Sequence, residues 1–168
     1  MNPPQLNEHA PFFAGYINSI DENVFDILHN QANDFPALLK SLPTEKEDYA
    51  YAAGKWTIKE LAGHVIDTER IMVYRLTRIA RNDKTPLPGF EENDYVKNAH
   101  FADRTLESLA NEFELLRRSN MFFLESLNDE ELSRMGTTSG NHISTKALLF
   151  IIAGHLKHHV NILHERYL

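Results

Sequence analysis

The chain has 168 residues, 42% of them hydrophobic, which is enough for one domain, spanning 1–168, with one apolar core. Its formal net charge of −7 argues against a nucleic-acid partner, and the absence of cysteine excludes disulfides, thiolate metal sites and a catalytic protein thiol. No signal peptide and no apolar stretch of about 18 residues is visible, so we expect a cytoplasmic protein without a membrane partner.

The first forty residues predict an extended lead-in and one helix. Residues 1–15 carry three prolines and little periodicity, which is typical of an extended segment. Apolar residues then recur at helical spacing over 21–41. Asp21 is the expected N-cap of this first helix, and Pro36 is expected to kink or split it.

A second helix and a long connection follow. Thr57 and Glu60 have the spacing of a capping box, and apolar periodicity continues from there, so we predict a helix over 57–81. Residues 83–103 show no periodicity, and a structureless connection of this length is uncommon in a compact domain. Three aromatic side chains favour a crossover packed along the bundle over a disordered insert, and they are Phe90, Tyr95 and Phe101.

The length of this connection allows the second and third helices to run parallel. A helix of about 25 residues is about 37 Å long, whereas about 20 extended residues reach up to about 66 Å. The third helix is predicted over 104–127 with Asp103 as its cap, and the fourth over 144–167. No alternating pattern predicts a strand, so we expect an all-α four-helix bundle with no sheet and a long crossover between its second and third helices.

Histidines are the unusual part of the composition, and two of them share the apolar face of the fourth helix. His155 and His159 are four residues apart, so they lie about 40° apart around the helix and one turn above the other. This is a common way for one helix to offer two imidazoles to a metal ion. The alternative is that each ring packs as a polar core residue beside a carbonyl. On the same helix, His158 lies at the edge of the apolar stripe and His164 faces solvent.

A third imidazole can come from the second helix. His64 lies early in this helix, next to Gly63, whose small size allows a close neighbour. A third ring from another helix would favour a divalent metal ion over core packing, and His64 is the candidate to join His155 and His159. The remaining histidines lie in less periodic or more polar surroundings and are weaker candidates, namely His9, His29, His100 and His142.

Two segments of the sequence carry a resemblance to a known family. The first is GKWTIKELAGH over 54–64, followed by Asp67, Glu69-Arg70 and Tyr74-Arg75; the second is GHLKHH over 154–159, followed by ERYL at the end. Both resemble the DinB/YfiT-like superfamily, in its DinB-like-domain branch, and the similarity extends over about 16–168.

The resemblance implies a fold and a metal site. The fold is a four-helix bundle with a long connection between helices 2 and 3. The metal is a divalent ion held by three histidines, which fall on His64, His155 and His159. Characterised relatives include thiol-cofactor-dependent S-transferases and a maleylpyruvate isomerase, and many members are named only as metal-dependent hydrolases.

Three neutral imidazoles leave an open position on the metal, for which zinc is the first candidate and nickel or iron the others. That position can hold water, which leads to hydrolysis, or a small-molecule thiol, which leads to S-transfer. The resemblance favours a transferase that joins a low-molecular-weight thiol to an electrophile, with hydrolysis as the alternative. A third interpretation is a non-catalytic metal-binding bundle, in which His158 or His142 would close the site. The sequence assigns no catalytic side chain beyond the metal ligands.

Several residues near these motifs have two interpretations. Asp67 either accepts a hydrogen bond from the His64 ring or pairs with Arg70. Arg70 and Arg75 either bind an anionic substrate or form ion pairs on the helix surface, and the helical pattern favours the surface pairs. Trp56 is expected to be a packing anchor rather than a platform for substrate.

The resemblance also implies a homodimer, since many bundles of this kind pair. Phe12, Phe13 and Tyr167 are the residues that we expect to pack at such an interface.

Overall fold

The computed structural model describes all 168 residues, and helices dominate it. The helices and strands in chain order are α1 Ala14–Asn18, α2 Val24–Ser41, α3 Ile58–Ala80, α4 Glu92–Asn98, α5 Leu106–Glu125, α6 Asp129–Ser133, β1 Met135–Thr138, β2 Asn141–Ser144 and α7 Thr145–Ile162. A single π turn, Leu163–Tyr167, continues α7. The four long helices α2, α3, α5 and α7 confirm the predicted bundle.

Each long helix packs against two others and leaves the fourth on the diagonal. Helices α2 and α3 lie on opposite corners, and both contact α5 and α7. The first half of α3 shares one buried cluster with the first half of α5, and its second half shares another with the second half of α5. Helices α3 and α5 are therefore parallel, which the length of the crossover allows.

The caps of the helices agree with the prediction at α3 and differ at α2 and α5. The capping box of α3 is present, because Glu60 N donates to Thr57 Oγ1 at 3.2 Å and Thr57 N donates to the Glu60 carboxylate at 2.7 Å. Helix α2 is capped by Asn23 rather than Asp21, and α5 by Thr105 rather than Asp103. Helix α2 also continues through Pro36 to its end, so this proline does not split it.

A short antiparallel hairpin corrects the prediction of no sheet. Strands β1 and β2 pair from Met135 opposite Ser144 to Thr138 opposite Asn141. Leu87 of the crossover adds a bridge to β1, donating from its N to Thr137 O and accepting from Ser139 N, both at 2.9 Å. The strands read MGTT and NHIS and do not alternate apolar with polar residues, which is why the sequence pattern did not reveal the hairpin.

The connection between α3 and α5 is a packed crossover, as predicted, and it contains helix α4. Phe101 is buried and its ring lies on Gly63, where an added Cβ would be 2.5 Å from ring carbons. Phe90 packs on Tyr95 with ring centroids 5.1 Å apart. Gly63 therefore provides room for the crossover directly beside His64.

The N-terminal residues are not extended throughout, in contrast to the prediction. They form two short 3₁₀ turns, Leu6–Glu8 and Pro11–Phe13, that lead into α1. Helix α1 contacts α7 at Gly154, where an added Cβ would be 2.2 Å from the Tyr16 carbonyl oxygen. This contact fixes Tyr16 beside the histidines of α7.

Of the three residues expected at a dimer interface, Tyr167 is buried within the chain. Its hydroxyl donates to the Trp56 carbonyl at 2.7 Å, and its ring packs on Tyr51. Phe12 is exposed and Phe13 is half-buried.

No helix in this structure combines the length and apolarity needed to cross a membrane.

Candidate metal centre

The structure brings the three predicted histidines together between α3 and α7. His155 Nε2 lies 3.1 Å from His64 Nε2 and 3.1 Å from His159 Nε2. The three prospective ligand atoms all lie within 4.8 Å of one another. His64 reaches the site from α3, while His155 and His159 reach it from consecutive turns of α7, as their spacing predicted.

All three imidazoles are buried and neutral at physiological pH. Burial lowers the pKa of His64 to about 4. Burial, assisted by the charges of His64 and His158, lowers the pKa of His159 to about 3. Burial and the neighbouring histidines hold the pKa of His155 well below its usual range. The neutral imidazole is the form that binds a metal ion.

Hydrogen bonding alone does not satisfy this cluster. A ring nitrogen carries either one N–H or one in-plane lone pair, so His155 Nε2 can pair well with only one of its two neighbours. His159 Nδ1 is also buried without a hydrogen-bond partner. Two nitrogens on a tetrahedral zinc ion at about 2.0–2.1 Å are about 3.3 Å apart, close to the 3.1 Å of two of the three nitrogen pairs here. The residues present therefore fit a divalent metal ion.

A pocket of about 440 Å³ opens onto the histidine cluster. Aromatic residues from four parts of the chain form much of its wall, and they are Phe12, Phe13, Tyr16, Trp56 and Phe90. His158 also lies in the wall, but it is exposed and does not belong to the group of convergent nitrogens. The histidine cluster is thus accessible through this pocket.

The structure resolves the interpretations of the neighbouring side chains. Asp67 is turned towards Arg70, whose Nη1 lies 3.4 Å from its carboxylate, while the hydroxyl of Thr68 lies 3.5 Å from His64 Nδ1. Thr68, not Asp67, is therefore the contact on the second nitrogen of His64. Trp56 packs on the His64 ring with centroids 4.7 Å apart and lies in the pocket wall.

The two candidate arginines differ. Arg70 is exposed and pairs with Asp67 and Glu112, as the surface interpretation predicted. Arg75 is 4% exposed, forms no ion pair and lies in the pocket wall, so the surface interpretation is wrong for this residue. The sequence showed Arg75 three turns from His64 but gave no sign of how the crossover covers it.

The other histidines lie outside the cluster. His9 contacts the Ala10 carbonyl through Nδ1 at 2.9 Å, and His29 pairs with Glu125 at 2.6 Å. Three more are exposed, namely His100, His142 and His164. Neither proposed closing ligand, His158 or His142, joins the three convergent nitrogens.

A buried ion pair beside the site was missed by the sequence analysis. Arg117 of α5 is fully buried and donates from Nε and Nη2 to the carboxylate of Glu69 on α3, both at 2.8 Å. Both residues, with His155, line a small cavity behind the histidine cluster. The available signal was that Arg117 follows Phe113 by four residues, which places a charge on the apolar face of α5.

Comparison with known proteins supports this assignment of the fold. A model of the DinB superfamily matches residues 27–163. A protein of Oceanobacillus iheyensis named "Putative metal-dependent hydrolase" is 24% identical in an alignment 164 residues long that covers 92% of this chain and 93% of that protein.

Two solved structures share the fold. YfiT from Bacillus subtilis, described as a probable metal-dependent hydrolase with an unusual four-helix bundle topology, has a TM-score of 0.74 at 15% identity over 84% of this chain and 82% of its own. A mycothiol-dependent maleylpyruvate isomerase has a TM-score of 0.66 at 14% identity over 85% of this chain. This chain spans 61% of the isomerase, and at these identities the likeness extends to the fold alone.

Proposed function

The chain belongs to the DinB superfamily, and we propose that it is a metal-dependent enzyme that joins a low-molecular-weight thiol to a small electrophile. The observation that carries this proposal is the convergence of three neutral imidazoles, two of their nitrogen pairs 3.1 Å apart, on the wall of an open pocket. A structural metal site would tend to be closed by a fourth protein ligand, and none joins this group.

His64, His155 and His159 would hold the metal ion. Zinc suits three nitrogen ligands, and nickel or iron are the alternatives. When bound, the ion supplies a positive charge that lowers the pKa of a thiol or a water molecule at the open position. Because the three protein ligands are neutral, they leave the charge of the ion undiminished. Thr68 contacts the second nitrogen of His64 and so helps to orient its ring.

The remaining pocket residues favour a thiol reaction with an apolar electrophile. The chain has no cysteine, so the sulfur must come from a second substrate. Aromatic walls formed by Phe13, Tyr16 and Trp56 suit an apolar carbon skeleton and exclude water around it. In the reaction, the thiol loses its proton to solvent, a carbon–sulfur bond forms, and the leaving group departs from that carbon with the bonding electrons.

Hydrolysis is the second candidate, and one side chain favours it. Glu92 of α4 lies in the pocket wall, and a carboxylate beside a metal site can accept a proton from the attacking water. The relative from Oceanobacillus iheyensis also carries a hydrolase name. Glu92 is exposed, and no carboxylate oxygen joins the group of convergent nitrogens. The pocket therefore favours the transferase.

A paired assay distinguishes the reactions. Zinc-loaded protein is incubated with monobromobimane and either cysteine or glutathione, and separately with 4-nitrophenyl acetate without thiol. We expect thioether formation above the uncatalysed rate, its loss in His64→Ala and its retention in His164→Ala, an exposed histidine on the π turn that follows α7. Ester cleavage without thiol would favour the hydrolase. Zinc-loaded protein that accelerates neither reaction would favour a non-catalytic metal-binding protein.

A further inference from the structure

Arg75 lies on the same side of α3 as His64 and faces the same pocket. The residues at successive turns between them are Thr68 and Met72, and all four line the pocket. Eleven residues of helix turn through about 20° more than three full turns and rise about 16 Å. The pocket is therefore elongated along α3, with the histidine cluster towards one end and Arg75 towards the other.

Arg75 is a buried cation without a carboxylate partner. Seven of the nine arginines lie within 4.0 Å of a carboxylate, and the exceptions are Arg75 and the exposed Arg166. The other arginine that is buried, Arg117, is fully compensated by Glu69. Arg75 is 4% exposed, and burial lowers the pKa of its guanidinium. A buried charge normally requires a partner of opposite charge.

The contacts of Arg75 orient the guanidinium without neutralising it. Its Nη2 donates to the Pro88 carbonyl at 2.7 Å and to Ser139 Oγ at 3.2 Å. Its Nη1 has only the Met72 sulfur, at 3.9 Å, and Phe90 packs 5.5 Å from the guanidinium carbon. The crossover and the hairpin thus hold one edge of the group, while Nη1, beside the pocket residue Met72, has no oxygen acceptor.

The other charged group in the pocket wall is Glu92, and it does not compensate Arg75. Its carboxylate is exposed and forms no ion pair with Arg75 within 4.0 Å. Burial, and to a smaller extent the negative charge of Glu92, raises the pKa of Tyr16 on α1. An anion that enters the pocket therefore meets a fixed guanidinium that no protein carboxylate neutralises.

We propose that Arg75 binds a carboxylate of the molecule that reacts at the histidine cluster, so that the pocket selects an anionic substrate. This inference rests on the proposed function for the reacting end of the molecule. The carboxylate belongs either to the thiol or to the electrophile, and an elongated molecule can place it on Arg75 while its reactive atom lies at the histidines. A charge-assisted hydrogen bond to a fixed guanidinium supplies the recognition.

Binding of matched acids and esters tests this inference independently of activity. Calorimetry is carried out on the zinc-loaded protein with glutathione and its diethyl ester, and with 4-methylbenzoate and its methyl ester. We expect one acid to bind at least about tenfold more tightly than its ester, because the ester lacks the charged oxygen that accepts the hydrogen bond from Arg75. A preference within the glutathione pair assigns the carboxylate to the thiol, and a preference within the benzoate pair assigns it to the electrophile.

Variants assign the preference to Arg75. Arg75→Met should bind acid and ester equally, and Arg75→Lys should retain part of the preference. Arg78→Met is the matched control, since Arg78 lies one turn further along α3, pairs with Asp83 and does not line the pocket. A purely structural role of Arg75 would weaken acid and ester alike. Equal binding of acid and ester by the wild type, or an acid preference that survives in Arg75→Met, would overturn the inference.

Metal content separates this inference from the proposed function. If the acid preference holds in a protein that takes up no metal, the anion site stands and the proposed function fails. If the protein binds its metal through the histidines and forms the thioether but shows no acid preference, the anion site fails and the proposed function stands.

Discussion

Replacement of Arg117 by methionine should strongly destabilise the bundle, because it leaves a charged carboxylate buried. Glu69 is 4% exposed and accepts hydrogen bonds from Arg117 Nε and Nη2, both at 2.8 Å, and from Asn120 Nδ2 at 3.0 Å. In Arg117→Met, Glu69 retains only the amide of Asn120. Gln31 also loses its partner, since its side-chain oxygen accepts from Arg117 Nη1 at 2.9 Å.

The magnitude follows from this burial. Removal of one partner from a buried ion pair costs about 3–5 kcal/mol. In a protein of this size each kcal/mol lowers the melting temperature by about 2–4 °C, so the expected decrease is about 6–20 °C. The adjacent residue provides the control, because Arg118 pairs with Glu114 at 3.1 Å and its side chain is 52% exposed. Arg118→Met should cost no more than about 1 kcal/mol.

Urea denaturation of the metal-free proteins measures both free energies of unfolding without a contribution from metal binding. The double variant Glu69→Leu/Arg117→Met removes both charges and should recover much of the loss. A free energy of unfolding for Arg117→Met within about 1 kcal/mol of that for Arg118→Met would refute the reasoning.

Two further predictions concern the α1 contact and the response to acid. Gly154→Ala should lower the free energy of unfolding by about 1–3 kcal/mol, because its Cβ would lie 2.2 Å from the Tyr16 carbonyl oxygen. Gly15→Ala is the control and should not lower it, since no atom lies within 4 Å of the added Cβ. Equal melting temperatures of the two variants in a thermal scan would contradict this prediction. The metal-free protein should lose stability as the pH falls from about 6.5 towards 4, because the unfolded chain then binds protons that the folded His64 and His159, with pKa values of about 4 and about 3, do not. In urea titrations at several pH values, His159→Gln should flatten the dependence of the free energy of unfolding on pH, and His164→Gln should preserve it. If this dependence is unchanged in His159→Gln, the buried ring of His159 is not the cause of the acid sensitivity.

The helices and the three histidines were predictable because each rests on a local pattern. The capping box at Thr57 and Glu60 fixed the start of α3, and the four-residue spacing of His155 and His159 fixed their shared direction. Convergence with His64 required the additional step that α3 packs against α7, which the apolar faces and the family resemblance supplied.

The pocket wall was not predictable, because it depends on contacts between segments that are distant in the sequence. Arg75 shows the difficulty, since its burial results from the Pro88 carbonyl in the crossover and from Ser139 in the hairpin. The two strands of the hairpin also lack an alternating apolar and polar pattern. Whether Asp67 contacts His64 or Arg70 was likewise a matter of side-chain direction, which helical spacing alone did not decide.

Metal stoichiometry tests the central claim most directly. The purified protein is stripped with a chelator, reloaded separately with zinc, nickel and ferrous iron, freed of excess metal and subjected to elemental analysis. We predict one divalent ion per chain in the wild type and in His164→Ala, and none in stoichiometric amount in His64→Ala or His159→Ala. A wild-type protein that retains none of the three metals, or a His64→Ala variant that retains a full equivalent, would contradict the assignment of His64, His155 and His159 as the metal ligands.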